Sequence, residues 1–449
     1  MSNINENDDI KLILDDYQEI EDYTVFDVSD MVDEEEEERR RRRRQRMKEK
    51  NNKKKKKKRR LKVVLLVLEI FIVLILGLVA FVLLAPDNVR NKMLSCGGKC
   101  AGTVTGLEKK FDEKFNDSSF DKDKVNVNEE LDTSQYEDYT TIALFGIDSR
   151  ENSLDVGLSD SIIIATIDNK TSEVKMSSIY RDTYVSIIDE DGDTQLNRIN
   201  TAFSKGGVEL ALTNLNRNMD LSIDEYAVVN FAGLATIIDA LFGEEGVKVN
   251  ITSDERYWIN QYLIETRKVT GLSSPNVSKS GEVYLNGLQA TAFCRIRYTS
   301  FTDEDGTKYN NDMGRTARQR FIIRKMLEKA QQMDLNTLID IANELFGKNE
   351  PAFKTSLSYK EIMDMLPTVL KVRLGGNQGF PITLEVPPKE QIPGEKSVVV
   401  ASGLTYNVTK LHEFLYPKED YTPTTTLKNI SNDIMFQTSV PEKKLPEDE

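Results

Sequence analysis

Hydrophobic positions change period repeatedly after residue 138. TTIALFG (140–146) and SIIIATI (161–167) are short, nearly unbroken apolar runs, the pattern of strands covered on both faces. VKMSSIY (174–180), EYAVVNF (225–231) and GVKVNI (246–251) read as further strands. Helical spacing takes over in GVELALTNLNRNM (207–219), in GLATIIDALFG (233–243) and from 315 to about 333, where Ile322, Ile323, Met326, Leu327 and Ala330 are the apolar positions. LNGLQATAFCRIRY (285–298) predicts a short helix running into a strand. More helices are expected at 335–346, 359–372 and 408–416, and late strands at FPITLEV (380–386) and SVVVASG (397–403). The residues after Pro417 read as loop. Strands alternating with helices imply an α/β fold, a layered α–β–α domain around a central mixed sheet.

Upstream, the pattern is different. Residues 1–61 run from an acidic stretch into a block, Arg39 to Lys62, of almost nothing but arginine and lysine. Residues 1–62 sum to +2, which leaves −16 of the overall −14 in 63–449. Self-repelling sequence that buries no apolar surface is expected to be disordered. VVLLVLEIFIVLILGLVAFVLLA (63–85) is a 23-residue apolar run broken only by Glu69. As a helix it spans roughly 34 Å, enough for a bilayer core of ~30 Å. A cleaved signal peptide would be shorter and closer to residue 1, so 62–85 reads as a transmembrane anchor. The basic block puts 1–61 in the cytoplasm, against membrane lipid, and residues from 86 onward outside the cell. It lacks interleaved aromatics and any helix-turn-helix pattern, so no nucleic-acid partner is expected. Residues 86–137 then form a polar stalk, 138–420 the main domain and 421–449 a flexible tail.

Few residues are left for nucleophilic or metal–thiolate chemistry. Cys96 and Cys100 bracket GGK, as a short disulfide loop or as two free thiols, and Cys294 sits among apolar neighbours as a core residue. His412 is the lone histidine and no G-x-S-x-G setting accompanies it. Arginine and aspartate remain. Asp148 and Arg150 (FGIDSR) follow the first buried strand, at the end where α/β sheets place ligands, and Asp160 (LSDSI) precedes the second. Two such carboxylates can hold Mg²⁺, which takes further ligands from water and substrate phosphates; capping a turn is the plainer alternative for each. Arg295 and Arg297 (CRIRY), two apart in the expected strand, would share a face and repel unless an anion lay between them or water solvated both. Arg315 and Gln319 (GRTARQ) are i, i+4 near a helix start, and Arg181 (IYRDTYV) can pair with Asp182. Guanidinium forks with paired acids suit a phosphate ester.

FGIDSR, LSDSIIIATID, VKMSSIYRDTYV, NRINTAFSKGG, YAVVNFAGLATIIDALFG, LNGLQATAFCRIRY and DMGRTARQ, in that order, resemble the LytR–CpsA–Psr family of bacterial cell-wall proteins over about residues 138–332. The resemblance implies a membrane-anchored extracellular phosphotransferase. It would attach a glycopolymer such as teichoic acid or capsule, carried on undecaprenyl pyrophosphate, to peptidoglycan. It implies Asp148 and Asp160 as the magnesium carboxylates, and Arg150, Arg181, Asn200, Arg295, Arg297, Arg315 and Gln319 as the pyrophosphate-binding set. Asp160, Arg181 and Arg315 would be catalytic. A carrier-lipid binding module without turnover, a pyrophosphate hydrolase and a membrane-bound transcriptional regulator are the alternatives. Two departures stand out: Tyr180 replaces the family's common proline before Arg181, and a polar insertion, TSFTDEDGTKYNND (299–312), could place an acidic lid near the pyrophosphate.

Overall fold

The computed structural model describes residues 108–109, 111–148, 154–155, 157–333, 337, 341, 345, 353–358 and 372–446. Chain contacts separate Met1–Lys62 from Val63–Glu449, and every described residue belongs to the second unit. The acidic and basic tail, the apolar run at 63–85, Cys96, Cys100, Arg150 and nearly all of 335–346 and 359–372 lie outside the described residues. Among the described residues no helix is long and apolar enough to cross a membrane.

Fourteen strands appear among these residues. In chain order they are β1 (Tyr139–Asp148), β2 (Leu158–Asp168), β3 (Glu173–Ile179), β4 (Tyr184–Ile188), β5 (Thr194–Arg198), β6 (Glu225–Val229), β7 (Val247–Ile251), β8 (Gly281–Leu285), β9 (Phe301–Thr302), β10 (Lys308–Tyr309), β11 (Phe353–Thr355), β12 (Arg373–Phe380), β13 (Leu384–Glu385) and β14 (Val400–Ala401). The helices are α1 (Thr201–Met219), α2 (Phe231–Phe242), α3 (Ser253–Thr270), α4 (Gly287–Phe293), α5 (Asn311–Gln331), α6 (Leu404–Leu415) and α7 (Thr425–Thr438). Six strands form one mixed sheet in the order β11-β6-β1-β2-β3-β12. β1–β2 and β2–β3 are antiparallel, while β1–β6 and β3–β12 are parallel. The apolar runs of β1 and β2 lie in the middle of this sheet, where Ala143, Leu144, Phe145, Ile163 and Ile164 have no exposed surface. Helices pack on it from α1 (against β2), α5 (against β12) and α6 (against β3). α4 lies so close to α2 that a side chain at Gly287 would meet the Ala235 carbonyl oxygen at 2.0 Å.

The strands and helices expected up to residue 251 are present, with corrections after that. CRIRY is not a strand: after α4 the chain turns at Cys294 and Arg295 and runs on without a ladder, so its two arginines share no sheet face. The expected late strand at 380–386 is reduced to Leu384–Glu385 (β13), paired with β14; the longer strand lies before Pro381, where RLGGNQGF pairs with β3 and proline has no N–H to continue the ladder. The stalk is partly domain: Phe111 and Phe115 are buried against Phe353, and Asn116 bridges Thr355. The expected flexible tail contains α7, whose Leu427, Ile430 and Ile434 are buried. α3 and the β4–β5 hairpin were not foreseen at all; α3 carries a threonine–glutamate capping box at Thr252 and Glu255.

The C-terminal segment is latched by polar contacts. Asp220, left-handed at φ 48°, ends α1 and accepts from Thr424 N at 2.9 Å, Thr424 Oγ1 at 2.7 Å and Tyr421 Oη at 2.5 Å. His412 is buried and stacks on Tyr421 with ring centroids 3.7 Å apart. Its Nε2 lies 2.9 Å from the Met219 carbonyl oxygen and must donate, so Nδ1 accepts from Tyr136 Oη at 3.1 Å and the ring is neutral. Burial holds its pKa down, to about 4. An unfolded histidine near 6.5 takes its proton first, so this contribution is complete above pH 6.5 and is lost as pH falls toward 4, by roughly 3 kcal/mol. Thermal melts across that window should fall more steeply for the wild-type chain than for His412→Gln; parallel slopes would refute the assignment.

Candidate functional site

Strand register brings the first pieces together. Phe145 pairs with Ile162 and Gly146 with Ser161, but Ile147 pairs with Ser159, so Asp160 is an extra residue bulged out of β2. A bulge of this kind re-aims a side chain. On its other side β2 pairs Ile162 with Ile179, a register that two residues further on sets Asp160 opposite Arg181. The two meet there: Arg181 Nη1 donates to Asp160 Oδ2 at 2.9 Å, and Asn200 Nδ2 donates to Oδ1 at 3.0 Å. Asp148 ends β1 opposite Leu158, two residues from Asp160 on the paired strand. Tyr180 gives its N–H to Phe380 O at 2.9 Å, a bond a proline at this position could not make.

α5 closes the site from above. Gln319 Oε1 accepts from Ser161 Oγ at 3.1 Å, next to the bulge, and Arg315 sits one turn earlier on the same face. Arg315 is 1% exposed; its Nη2 donates to Asp312 Oδ2 at 2.7 Å. Arg297 lies near enough that its charge acts on both Asp160 and Asp312. Arg295 is set apart: its guanidinium lies over Phe231 (4.5 Å) and Tyr262 (5.0 Å) and donates to Thr266 Oγ1 at 2.7 Å on α3. Asp160, Arg181, Asn200, Arg297, Arg315 and Gln319 thus converge, with Arg295 pinned beside them; Arg150 lies outside the described residues.

The electrostatics show which charge is in surplus. Burial raises the Asp160 pKa against the pull of Arg181, Arg315 and Arg297. Burial together with its cationic neighbours Arg181 and Arg297 pushes Arg315 down to about 9, Asp312 and Asp160 offsetting this only in part. Burial works on Asp312 too, but Arg315, Arg181 and Arg297 overcome it and hold that carboxyl below the usual range. Arg315 Nε and Nη1, Arg297 Nε and Gln319 Nε2 are buried without an acceptor. Buried donors left unpaired cost on the order of 1–3 kcal/mol each, so the cluster is complementary to an oxygen-rich anion. One buried acceptor, Asn200 Oδ1, is also unpaired. With the Asp160 carboxylate beside it, that makes an oxygen-donor set fit for a hard cation such as magnesium, although no group of three acidic, histidine or cysteine ligands occurs among the described residues.

Two other buried arginines are scaffold. Arg318 donates to Glu255 Oε1 (2.8 Å) and to the carbonyl oxygens of Ile296, Thr299 and Ser300, so it ties α3 and the inserted hairpin β9–β10 to α5. Arg320 donates to Asn377 Oδ1 at 2.6 Å and Ser178 Oγ at 2.8 Å. A cavity of about 580 Å³, lined in part by Phe242, Tyr284, Phe301 and Phe321, contains none of the site arginines. Its three lysines are matched, Lys248 by Glu282 and Lys329 by Glu245, each at 3.0 Å, and Lys325 by Glu304 at 2.8 Å. Sequence reasoning missed Asp312, Tyr262 and Glu255. Only Asp312 left a signal, its i, i+3 spacing to Arg315 at a helix start.

The model of the LytR_cpsA_psr family matches residues 104–384. The polyisoprenyl-teichoic acid–peptidoglycan teichoic acid transferase TagU of Bacillus cereus is 28% identical over 311 residues, 69% of this chain and 86% of that protein. TagV of Bacillus subtilis, with the same description, is 27% identical over 288 residues, 64% of this chain and 66% of that protein. The crystal structure of B. subtilis TagV aligns over 64% of this chain and 99% of its own, at 22% identity and a TM-score of 0.45.

The two classes of buried arginine should separate on mutation. Arg318→Ala is expected to lose about 3–5 kcal/mol in chemical denaturation, because it strands Glu255 and three carbonyls. Arg315→Gln should change stability by only about 1 kcal/mol, since it removes unpaired donors along with one ion pair. Equal losses would contradict this division.

Proposed function

Because the chain belongs to the LytR–CpsA–Psr family, we propose that it is a membrane-anchored phosphotransferase that moves a glycopolymer from an undecaprenyl-pyrophosphate carrier to peptidoglycan. The observation that carries the reading is the set of buried arginine and glutamine donors without acceptors gathered around Asp160. Its relatives TagU and TagV are named for joining polyisoprenyl-linked teichoic acid to peptidoglycan.

In this reading a sugar hydroxyl of peptidoglycan attacks the phosphorus nearest the glycopolymer. A new P–O bond forms to the acceptor, the bond to the bridging oxygen breaks, and undecaprenyl phosphate leaves. Arg181, Arg297 and Arg315 stabilise the charge that gathers on the bridging oxygen, in a buried setting where fixed donors act strongly. Arg181 is itself held in place by Asp160, so the donor that meets the substrate is oriented in advance. Magnesium would be held by Asp160 and the Asn200 amide oxygen, with Asp148 as the second carboxylate that the family resemblance implies. When bound it neutralises diphosphate oxygens. Asp160 has two roles open to it, magnesium ligand or acceptor of the hydroxyl proton. Its raised pKa serves the second and its position beside Asn200 Oδ1 the first. The run at 63–85 would anchor the chain, with the basic block inside the cell and the site outside it.

The test is transfer of a lipid-linked glycan to peptidoglycan by the full chain in detergent with Mg²⁺. Asp160→Ala and Arg181→Ala should each reduce the rate by at least about 100-fold, the scale of losing one charge-stabilising group. Wild-type rates in either variant would remove that residue from the mechanism. In Asp160→Asn, rescue by excess Mg²⁺ marks the ligand role, whereas loss of the acidic limb of the pH–rate profile marks the base. Release of free glycan phosphate in place of glycan-bearing peptidoglycan would make the protein a hydrolase.

A further inference from the structure

We infer that Asp312 is a resident counter-ion that governs release of the polyprenyl monophosphate leaving group. The inference rests on the transfer reading above and adds a residue to it. Asp312 makes one contact to Arg315, 2.7 Å to Nη2, while Nε and Nη1 of that arginine stay without acceptors. Its side chain is 29% exposed where that of Arg315 is 1% exposed, so it stands on the solvent side of that arginine. The backbone beneath it is fixed. Asn311, at φ 50°, starts α5, and Arg318 holds the preceding hairpin by the Thr299 and Ser300 carbonyls. Glu304 ties the same hairpin to Arg324 (2.6 Å) and Lys325 (2.8 Å). The carboxylate can therefore turn toward or away from Arg315 while the hairpin stays in place.

The chemistry supplies the reason for such a group. The donor is a diphosphate diester with one negative charge on each phosphorus. After transfer, the leaving lipid is a monoester with roughly −1.5 to −2 on a single phosphorus at neutral pH. Arginines placed to stabilise that charge as it forms also hold the product. A carboxylate already bonded to Arg315 competes with a dianion more than with a monoanionic phosphate, and it re-forms its ion pair as the product departs. Held product would limit turnover, so the group acts on kcat through release.

Binding and turnover of the full chain in detergent with Mg²⁺ test this, using as probes octaprenyl monophosphate and a sugar-capped octaprenyl diphosphate, which has the diester charge of the donor. Asp312→Asn, close in size, should bind the monophosphate about tenfold more tightly, with a smaller gain for the diphosphate. KM and kcat should fall together, and Asp312→Glu should restore both. A variant that melts like the wild type yet binds the monophosphate no better, or shows a raised KM, overturns the inference and makes Asp312 an orienting group for Arg315. A wild-type chain that holds neither lipid overturns the transfer reading and this inference with it.

Discussion

Among the described residues the protein buries more guanidinium than the carboxylates beside it can match, and it does so at one end of one sheet. Most buried charge in this fold is balanced on the spot: Arg318 has Glu255 and three carbonyls, and Arg320 has two side-chain acceptors. Around Asp160 the balance fails. Arg315 is as deeply buried as Arg318, yet two of its nitrogens have no acceptor and its pKa is pressed down by burial and by its cationic neighbours. A fold tolerates such a deficit only where other interactions over-determine the positions, and the missing partner is then part of what the site is for.

Over-determination here comes from register. The β2 bulge puts Asp160 out of the β1 ladder, and the β2–β3 pairing carries Arg181 to it. Ser161, the next residue, anchors Gln319 and with it the start of α5. β1, the Arg181 end of β3 and the distant α5 therefore all refer to one irregularity in one strand. A slip of the β2–β3 register by one residue would turn Asp160 away from Arg181.

Much of this was legible in the sequence, for identifiable reasons. β1 and β2 announce themselves because their apolar runs are buried on both faces, and α2 because its apolar positions keep helical spacing. The acids and arginines were legible as types because a chain with one histidine and no cysteine cluster has few other ways to do chemistry. What the sequence hid depends on contacts between distant segments. CRIRY alternates like a strand, but Arg295 is drawn to Phe231, Tyr262 and Thr266 and Arg318 captures the Ile296 carbonyl, so tertiary partners override the local pattern. α7 was hidden behind a proline- and threonine-rich approach, and its apolar stripe has meaning only against the elements it covers. Asp312 looked like one more acid in a polar insertion, since its i, i+3 spacing to Arg315 does not by itself show that this arginine is buried.

The loop that carries Arg181 shows how the late chain enters the site. Its residues 180–184 are bonded on the far side by Phe380 and Val399: Tyr180 N to Phe380 O at 2.9 Å, Val399 N to Asp182 O at 2.8 Å, and Tyr184 N to Val399 O at 2.8 Å. Val399 lies beyond residue 384, where the family match ends. Tyr180 also packs its ring on Gly379, where any side chain would meet the tyrosine hydroxyl at 2.0 Å. A proline at 180 fixes its own φ and stiffens a turn from within. This chain stiffens the same turn from outside, by an N–H bond and a ring contact to β12.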